Sequence, residues 1–300
     1  MSGLIEKVLE LAPHEGDFST SIPHLSLFRR NSSMPSPIPV IYQPSIYMVL
    51  LGAKATFLGK ERYQYDAMHY LVSCVPLPLE GQVLEASTDT PYLAARISLD
   101  AQLVNELLVQ MPPEPRRTST SLEMLNNSST ARGIYVSEIN DEIQSTLSRL
   151  LSCAHSKTKA NILGQLALKE LIYHVLDAEH GALLRSFASQ DRQQYQIANV
   201  LQYINRHYAS NMGITALANK ANMSESSFYQ HFKAATNTSP IQYIKTIRLH
   251  AAKRKMLFEH HNATTAAYEV GYTSASQFSR EYRRLFSVPP AQDARTATKV

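Results

Sequence analysis

The sequence predicts an α+β protein in which an N-terminal β-barrel or sandwich precedes a C-terminal all-helical domain. Residues 38 to 99 are rich in Val, Ile, Tyr and Phe, and turn residues interrupt them at the short spacing of antiparallel hairpins. Residues 195 to 300 instead show helical periodicity and contain one motif twice, 50 residues apart. A chain of 300 residues is long enough for two such domains, each with its own core.

The net charge of +4 is unevenly distributed along the chain. Residues 190 to 300 hold 14 Lys and Arg against 6 Asp and Glu, whereas residues 1 to 189 hold 15 against 19. A basic segment attached to an acidic one suggests that only the C-terminal part meets a polyanion. A solvated helical surface is the alternative, and charge alone does not decide between the two.

Composition argues against two other kinds of protein. The longest apolar run, IYMVLLGA, is much shorter than a membrane span, and the N-terminus lacks the basic-then-apolar order of a signal peptide. Two cysteines, Cys74 and Cys153, are too few for a disulfide scaffold, and no C-x-x-C or H-x-H pair has metal-ligand spacing. We therefore expect a soluble, intracellular protein without structural zinc.

In the N-terminal part, the pattern predicts a helix from Gly3 to Leu11 and then strands from residue 38 to about 99. The turns between strands are marked by Gly52, Gly59, Asp66 and Gly81. Residues 111 to 135 are rich in Pro, Ser and Asn and should form an exposed loop. Two helices should follow, at about Ser137–Cys153 and Thr158–Glu179.

The second of these helices has an unusually broad apolar arc. Its members are Leu163, Leu166, Leu168, Leu171, Ile172, Val175 and Leu176. Such an arc is wider than packing against one neighbour requires, so it could bury against the barrel and also against a second subunit. An ordinary core helix is the alternative. We expect a homodimer that forms through residues 137 to 180.

The C-terminal part begins with a helix from Tyr195 to Tyr208 and then contains the repeated motif. Its copies are SSFYQHFKAATNTSP, from Ser226 to Pro240, and SQFSREYRRLFSVPP, from Ser276 to Pro290. Each copy follows a short helix, a tight turn and a serine suited to cap a helix.

In the first copy, the short helix spans Ile214–Ala221, the turn is Asn222-Met223 and the cap is Ser224. In the second, the short helix spans Thr264–Val270, the turn is Gly271-Tyr272-Thr273 and the cap is Ser274. Gly271 and Asn222 suit the positive φ of such turns.

The capped helix in each copy has one apolar and one polar face. Phe228 and Phe232 form the apolar stripe of the first, and Phe278, Tyr282 and Leu285 that of the second. The polar ridges comprise Ser226, Tyr229, Gln230 and Lys233 in the first helix, and Ser276, Ser279, Arg280 and Arg283 in the second. A polar ridge after a short helix and a tight turn is typical of a helix-turn-helix whose second helix enters the major groove.

In that groove, an Arg such as Arg280 can bond two acceptors of a guanine, and an amide such as Gln230 can pair with adenine. Each residue taken singly could equally be a solvated helix position. Caps, apolar stripes and polar ridges that agree in register across two copies favour the DNA-binding interpretation.

Between the copies, Pro240–Phe258 should form one uninterrupted helix, because Pro suits the first position and nothing inside breaks the pattern. Its 19 residues make a rod of about 28 Å, close to one DNA turn of about 34 Å. Two helices spread by this rod could occupy successive major grooves. Several cations of the rod would then lie near phosphates or carboxylates, namely Lys245, Arg248, Lys253, Arg254 and Lys255.

The C-terminal third resembles the DNA-binding domain of the AraC/XylS family of bacterial transcription regulators. The resemblance lies in LANKANMSESSFYQHFKAATNTSPIQYIKTIRLHAAKR and, more diagnostically, in VGYTSASQFSREYRRLFSVPP. Residues 40 to 110 also resemble the N-terminal domain of one subgroup, through PSIYMVLLGAKATFLG and YDAMHYLVSC.

The resemblance implies a cupin-like barrel with helices over residues 1–185 that senses a ligand and dimerises. It further implies a linker over 186–194 and a double helix-turn-helix domain over 195–300. The expected function is a sequence-specific transcription regulator, an activator that responds to a small-molecule or redox signal. The expected partners are double-stranded promoter DNA, RNA polymerase, a possible small-molecule effector and a second copy of the chain, in the cytoplasm at the bacterial nucleoid.

The family's DNA-contacting roles can be placed on this sequence residue by residue. Base-facing roles fall on Ser226, Tyr229, Gln230, Ser276, Gln277, Ser279 and Arg280. Positions nearer the DNA backbone are Lys233, Arg283 and Arg284.

The chain departs from the family pattern at several positions. The family usually has Gly where Asn222, Asn237 and Ser287 stand, an aromatic residue is common at Asp293, and Glu281 places a negative charge on the second capped helix. Asn adopts the left-handed backbone conformation more readily than Ser does.

Other chemistry was weighed against this interpretation. Metal oxygenases built on such barrels need clustered His and carboxylate ligands, whereas His69 stands alone, so we expect no enzyme, metal or cofactor. Cys74 is a possible thiol sensor, although its strand position suits a packed side chain equally well. A regulator that needs no ligand also stays open, because side chains can fill a barrel.

Overall fold

A computed structural model describes residues 2–112, 132–189 and 193–297 of the chain. The strands are β1 (Gly16–Ser19), β2 (Leu25–Arg30), β3 (Ile38–Tyr42), β4 (Ser45–Leu51), β5 (Ala53–Leu58), β6 (Glu61–Asp66), β7 (His69–Ser73), β8 (Leu77–Glu85), β9 (Tyr92–Ser98) and β10 (Ile134–Glu138). The helices before the predicted C-terminal domain are α1 (Ser2–Leu11), α2 (Ala101–Gln110), α3 (Asp141–Cys153), α4 (Lys157–Lys159), a π-helical turn (Ala160–Gly164), α5 (Gln165–Asp177) and α6 (Gly181–Ala188). The remaining helices are α7 (Gln193–His207), α8 (Ile214–Lys220), α9 (Glu225–Thr236), α10 (Pro240–Phe258), α11 (Ala263–Glu269), α12 (Ala275–Phe286) and α13 (Pro290–Ala297).

The strands form two antiparallel sheets, which together we call the barrel. One sheet has the order β1-β2-β9-β4-β7-β10 and the other the order β3-β8-β5-β6. Inward positions alternate with outward ones along strands such as β8, as expected of a strand with one face on a core. The predicted α+β class and the predicted strands between residues 38 and 99 are therefore confirmed.

Three strands lie outside the predicted strand region. β1 and β2 precede residue 38, and β10 pairs with β7 so that Ser137 lies opposite Tyr70. The predicted start of a helix at Ser137 is therefore wrong. The helix α3 begins at Asp141, after Asn140 has capped it by accepting a hydrogen bond from the Ile143 N–H at 2.9 Å. The predicted loop is not tested between residues 113 and 131, which lie outside the described residues.

The broad apolar arc divides in two in the structure. Its C-terminal members are buried, namely Leu168, Leu171, Ile172, Val175 and Leu176. Leu163 and Leu166 are 51% and 62% exposed, and neighbouring Ile162 is 61% exposed. The C-terminal part of the arc is buried mainly against the neighbouring helices α2, α3 and α6, while its N-terminal end lies open on the surface.

The helical C-terminal part follows the sequence pattern closely. The rod α10 spans Pro240–Phe258 as predicted, with Ser239 as its N-cap and Pro240 in its first turn. The last helix, α13, was not predicted from the sequence. The predicted linker 186–194 overlaps α6, which continues to Ala188, and residues 190–192 lie outside the described part, so the domain boundaries stay predictions. None of the described helices is long and apolar enough to cross a membrane.

The barrel and the helical part meet at a polar contact around Arg132, which is only 8% exposed. Its Nη2 donates to Glu61 Oε1 at 2.7 Å, and its Nη1 donates to the carbonyl oxygens of Lys233 and Ala234 at 3.2 and 2.8 Å. One guanidinium therefore binds a barrel carboxylate and the C-terminal carbonyls of α9 together. We call Glu61, Arg132 and the last turn of α9 the interdomain joint.

Three further hydrogen bonds support the interdomain joint. Asn237 Nδ2 donates to the Leu58 carbonyl at 2.9 Å, and the Tyr243 hydroxyl donates to the Pro76 carbonyl at 2.8 Å. The Gly133 N–H donates to the Ala235 carbonyl at 2.9 Å. Carbonyls at the end of α9, which have no partner inside the helix, are thus satisfied by the N-terminal part.

Replacing Arg132 by Met should lower the free energy of unfolding by about 2 kcal/mol, because Glu61 and two helix carbonyls lose their donor while the side-chain volume is kept. Urea unfolding followed by circular dichroism measures the change. The control is Arg62→Met, which removes an exposed cation next to Glu61 in strand β6 and should change stability by less than about 0.5 kcal/mol. Equal effects of the two substitutions would contradict a structural role for the interdomain joint.

Candidate nucleic-acid interface and ligand cavity

The first capped helix, α9, is oriented by its cap, its turn and its aromatic stripe. Ser224 Oγ accepts a hydrogen bond from the Ser227 N–H at 3.3 Å, and Asn222 takes the positive φ of 52° that the turn requires. Phe228 and Phe232 are fully buried, with ring centroids 5.4 Å apart. The predicted cap, turn and stripe of the first copy are confirmed.

The second capped helix, α12, repeats this arrangement. Ser274 Oγ accepts from the Gln277 N–H at 3.3 Å, and Phe278 and Tyr282 are buried. Gly271 has a φ of 91°, and a Cβ there would lie 2.4 Å from the Ala209 carbonyl oxygen. This turn therefore accepts no residue other than glycine without a backbone shift.

Both capped helices end in the left-handed conformation at a residue other than glycine. Asn237 has a φ of 57° and Ser287 a φ of 64°. Asn237 also anchors the turn through its side chain. At Ser287 the left-handed conformation strains the backbone, because this residue has a Cβ where helices usually end in glycine.

Two departures from the family pattern form internal contacts instead of disturbing the outer surface. Asp293 accepts a hydrogen bond from the Tyr282 hydroxyl at 2.7 Å and pairs with Lys253 at 3.2 Å. Glu281 accepts from Lys245 Nζ at 2.7 Å and from the Tyr272 hydroxyl at 2.8 Å. Burial acts to raise the pKa of Glu281, but these hydrogen bonds, that of Lys245 foremost, lower the pKa below its usual value. Its charge is therefore neutralised inside the domain.

The structure leaves the outward ridges of both capped helices accessible. The exposed members are Ser226, Tyr229, Gln230, Lys233, Ser276, Arg280, Arg283 and Arg284. Ser279 and Gln277 are half-buried, and Gln277 Nε2 donates to Glu281 Oε1 at 3.1 Å. Gln277 is therefore engaged within the domain and is a weaker candidate for base contact than its neighbours on the ridge.

The cations of the rod and of the ridges are used differently. Arg248 donates to the carbonyls of Tyr208, Ser210 and Gly271 at 2.7 to 2.9 Å, and Lys255 pairs with Glu269 at 2.8 Å. Lys245 and Lys253 also bind carboxylates, whereas Arg254 is exposed. On the ridges, no described carboxylate pairs with any of the four cations, which are Lys233, Arg280, Arg283 and Arg284. The first ridge thus has one cation and the second ridge three cations that no described carboxylate neutralises.

The barrel holds a partly open cavity of about 330 Å³ between its two sheets. Residues from β1, β2, β3, β4, β5, β8 and β9 line it, and three of them are cations: Arg30, Lys54 and Arg96. A concave, largely apolar cavity of this size with a few polar groups is typical of a small-molecule site. These lining residues were not predicted from the sequence, although the Lys at the second position of the apolar strand AKATFL could have indicated a charge inside the barrel.

Cys74 is buried, with 8% of its surface exposed, in contact with the core. Burial in apolar surroundings raises the pKa of its thiol above the ordinary value, which keeps the sulfur protonated. This environment favours the packed-strand interpretation over the possible thiol sensor. Cys153 is buried as well, and neither cysteine forms a disulfide.

His69 lies beside a carboxylate, with Nδ1 2.8 Å from Asp66 Oδ1. Within residues 2–112, 132–189 and 193–297, no three His, Cys, Asp or Glu side chains gather as a metal site would require.

Two protein families match the chain. Residues 21–183 match the family described as AraC-type transcriptional regulator N-terminus, and residues 217–296 match a helix-turn-helix domain family. The first match covers the barrel from β2 onward together with the helices up to α6, and the second covers both capped helices.

Curated relatives of the chain are transcription regulators. RafR of Pediococcus pentosaceus, the raffinose operon transcriptional regulatory protein, is 26% identical over 172 residues, covering 56% of this chain and 61% of RafR. The transcriptional activator RhaS of Yersinia pestis (strain Pestoides F) is 22% identical over 160 residues, covering 53% of this chain and 58% of RhaS. The chain thus spans about three fifths of the length of these relatives.

Solved structures of ToxT from Vibrio cholerae share the fold along almost the whole chain. One, with an unsaturated fatty acid bound, matches with a TM-score of 0.57 and 12% identity over 92% of this chain and 96% of ToxT. Another matches with a TM-score of 0.58 and 11% identity, over 90% and 97%. At such identity the likeness shows the fold alone: a sheet domain followed by a helical domain with two helix-turn-helix units.

Replacing Ser287 by Gly should raise the free energy of unfolding by about 0.5–1 kcal/mol, because glycine adopts the left-handed conformation without a Cβ clash. Differential scanning calorimetry measures the change. Ser227→Gly serves as the control, since it places glycine inside α9 at helical dihedrals and should destabilise by about 1 kcal/mol. A destabilising Ser287→Gly would disprove the strain at this cap.

At pH 8, iodoacetamide should alkylate Cys74 in the folded Cys153→Ser variant at least about tenfold more slowly than in the urea-unfolded variant. The reason is that only the thiolate reacts, and the raised pKa leaves less thiolate at any pH below it. Mass spectrometry of timed aliquots gives both rates. Labelling of folded and unfolded protein at the same rate would restore Cys74 as a sensor candidate.

Proposed function

We propose that this chain, which belongs to the AraC family of transcription regulators, binds double-stranded promoter DNA in a sequence-specific manner and regulates transcription. One observation supports the proposal most strongly. Two capped helices have buried aromatic stripes and exposed ridges, and the ridges bear four cations without a described carboxylate partner. Cations free of internal partners are what a protein needs in order to contact phosphates and base edges.

On this proposal, the ridge residues divide into two groups. Residues that read bases are Ser226, Tyr229, Gln230, Ser276, Ser279 and Arg280, with Gln277 available only after it leaves Glu281. Residues that bind the phosphate backbone are Lys233, Arg283 and Arg284.

The N-terminal part supplies dimerisation and regulation. Ile162, Leu163 and Leu166 form an exposed apolar surface at the N-terminal end of the helical arc, and a second copy of the chain would cover it. The open cavity in the barrel favours a regulator that responds to a small molecule over one that needs no ligand. Activation through contact with RNA polymerase, in the cytoplasm at the nucleoid, follows from the family alone.

A ligand in the cavity would be connected to the DNA-binding part through two paired strands and Arg132. Lys54 on β5 lines the cavity, β5 pairs with β6, and Glu61 on β6 binds Arg132 in the interdomain joint. A shift of these two strands would therefore move a donor to the last turn of α9.

Selection of bound sequences from random duplexes, followed by titration at several salt concentrations, tests DNA recognition. Arg280→Ala should weaken binding to the preferred site by about 1–3 kcal/mol and relax preference at one base pair. Lys233→Ala or Arg283→Ala should weaken binding to all sequences alike and reduce the salt slope by about 1.

Arg62→Ala is the matched control, because it removes an exposed Arg from the barrel and should leave DNA affinity unchanged. The proposal fails if the wild type selects no sequence. The assignment of the second ridge fails if Arg280→Ala keeps wild-type affinity and preference.

A further inference from the structure

The cavity between the two sheets has a polar end built from cations and phenols. Tyr42 and Tyr47 lie with ring centroids 4.6 Å apart, and Lys54 Nζ lies 5.3 Å from the Tyr42 ring centroid and 6.0 Å from that of Tyr92. Arg96 lies on the opposite sheet, with its guanidinium carbon 5.3 Å from the Phe28 ring centroid. All of these side chains line the same cavity.

The cations of this polar end exceed its carboxylates. Asp17 pairs with Arg30 at 2.6 Å, so one positive charge of the three is neutralised by the protein. Neither Lys54 nor Arg96 forms an ion pair with a carboxylate in the described residues. Two half-buried positive charges thus face one cavity, an arrangement that is unfavourable without an anion.

Arg96 also has an unused donor. Its Nη2 donates to Ser26 Oγ at 3.2 Å, but its Nε is buried and has no hydrogen-bond partner in the structure. A buried N–H without an acceptor is unfavourable, and more so on a charged group. The protein therefore leaves the Arg96 guanidinium incompletely paired.

Two of the phenols add neutral donors around the cations. Burial raises the pKa of Tyr47 above its usual value and the pKa of Tyr92 to about 12, so both hydroxyls stay protonated. Tyr42 differs: burial acts to raise the pKa of its hydroxyl, but the adjacent Lys54 outweighs burial and lowers it. Gly81 keeps the space beside Lys54 open, since a Cβ there would lie 3.3 Å from the Tyr42 hydroxyl and 3.4 Å from Lys54 Cε. The site therefore offers more hydrogen-bond donors than acceptors.

The remainder of the cavity is apolar. Phe28, Met34, Ile41 and Val83 line its walls, and Ile38 and Val40, 49% and 38% exposed, lie on the same lining. A ligand held at the polar end would thus place an apolar body against these side chains.

We propose that the barrel cavity binds an organic anion, a carboxylate on an apolar body, with Lys54 and Arg96 as the residues that hold the charged group. This inference rests on the proposed regulatory function and names the chemical class of its effector. If a guanidinium and an ammonium that line one cavity both contact the same carboxylate, they give that contact charge as well as direction.

Calorimetric titration of the full-length protein with four naphthalene compounds tests the charge preference. Naphthoate, naphthalenemethanol and naphthylmethylamine share one body and differ in charge, and naphthyl phosphate separates a carboxylate from a phosphate ester. Naphthoate should bind the wild type at least about tenfold more tightly than the alcohol, and the amine most weakly. Tighter binding of naphthyl phosphate than of naphthoate would support the anion site and assign it to a phosphate ester.

Variants locate the site that prefers the acid. Lys54→Met and Arg96→Gln should each remove most of the preference for naphthoate over the alcohol, while Lys54→Arg should retain it because the charge is kept. Lys60→Met, which removes an exposed Lys from the adjacent turn, is the matched control and should bind as the wild type does. Thermal unfolding verifies that each variant is folded.

Three outcomes would overturn the inference: equal binding of the acid and the alcohol, a preference that survives both Lys54→Met and Arg96→Gln, or no binding of any of the four compounds. DNA titrations on the same samples separate this failure from that of the proposed function. A protein that selects a DNA sequence but does not prefer the acid keeps the regulatory function and loses the anion site. A protein without sequence-selective binding loses the proposed function whatever the calorimetry shows.

Discussion

The burial of two aromatic side chains on each capped helix fixes which residues the helix presents to its surroundings. Phe228 and Phe232 in α9, and Phe278 and Tyr282 in α12, lie on one side of their helices and are fully buried. Rotation of either helix by one residue, about 100°, would expose a ring whose burial is worth about 1.5–3 kcal/mol. The polar ridges face outward because the aromatic stripes face inward, and the serine caps determine where each helix begins.

The cations follow the same division, because most of those on the rod bind inside the domain and those on the ridges face outward. Four of the five cations of the rod α10 bind within the domain, and Arg254 is exposed. Among the four, Arg248 binds three carbonyls and Lys245 neutralises Glu281. The second ridge retains Arg280, Arg283 and Arg284, whereas the first retains Lys233 beside Tyr229 and Gln230. Two units with the same architecture but different side chains are suited to unlike half-sites within one operator.

Local signals predicted the helical part well, because caps, turns and apolar periodicity act over a few residues. Pro240 predicted the start of the rod correctly, and Ser224 and Ser274 lie at the predicted caps. Contacts between residues distant in sequence were not predictable in this way. Arg132 contacts Glu61 and the end of α9, which are about 70 and 100 residues away, and no local pattern indicates such a contact. Lys54 and Arg96 likewise line one cavity only because strands of two sheets come together, so the cavity became visible only in the folded structure.

The most direct test of the account is hydroxyl-radical footprinting of the full-length protein on its own selected DNA sequence. Two helix-turn-helix units joined by a rod of about 28 Å should protect two stretches on one face of the duplex, with centres about 10 base pairs apart. The claim that α9 and α12 occupy successive major grooves would be contradicted by a single protected stretch. It would also be contradicted by protection that does not fall at fixed positions of the DNA sequence.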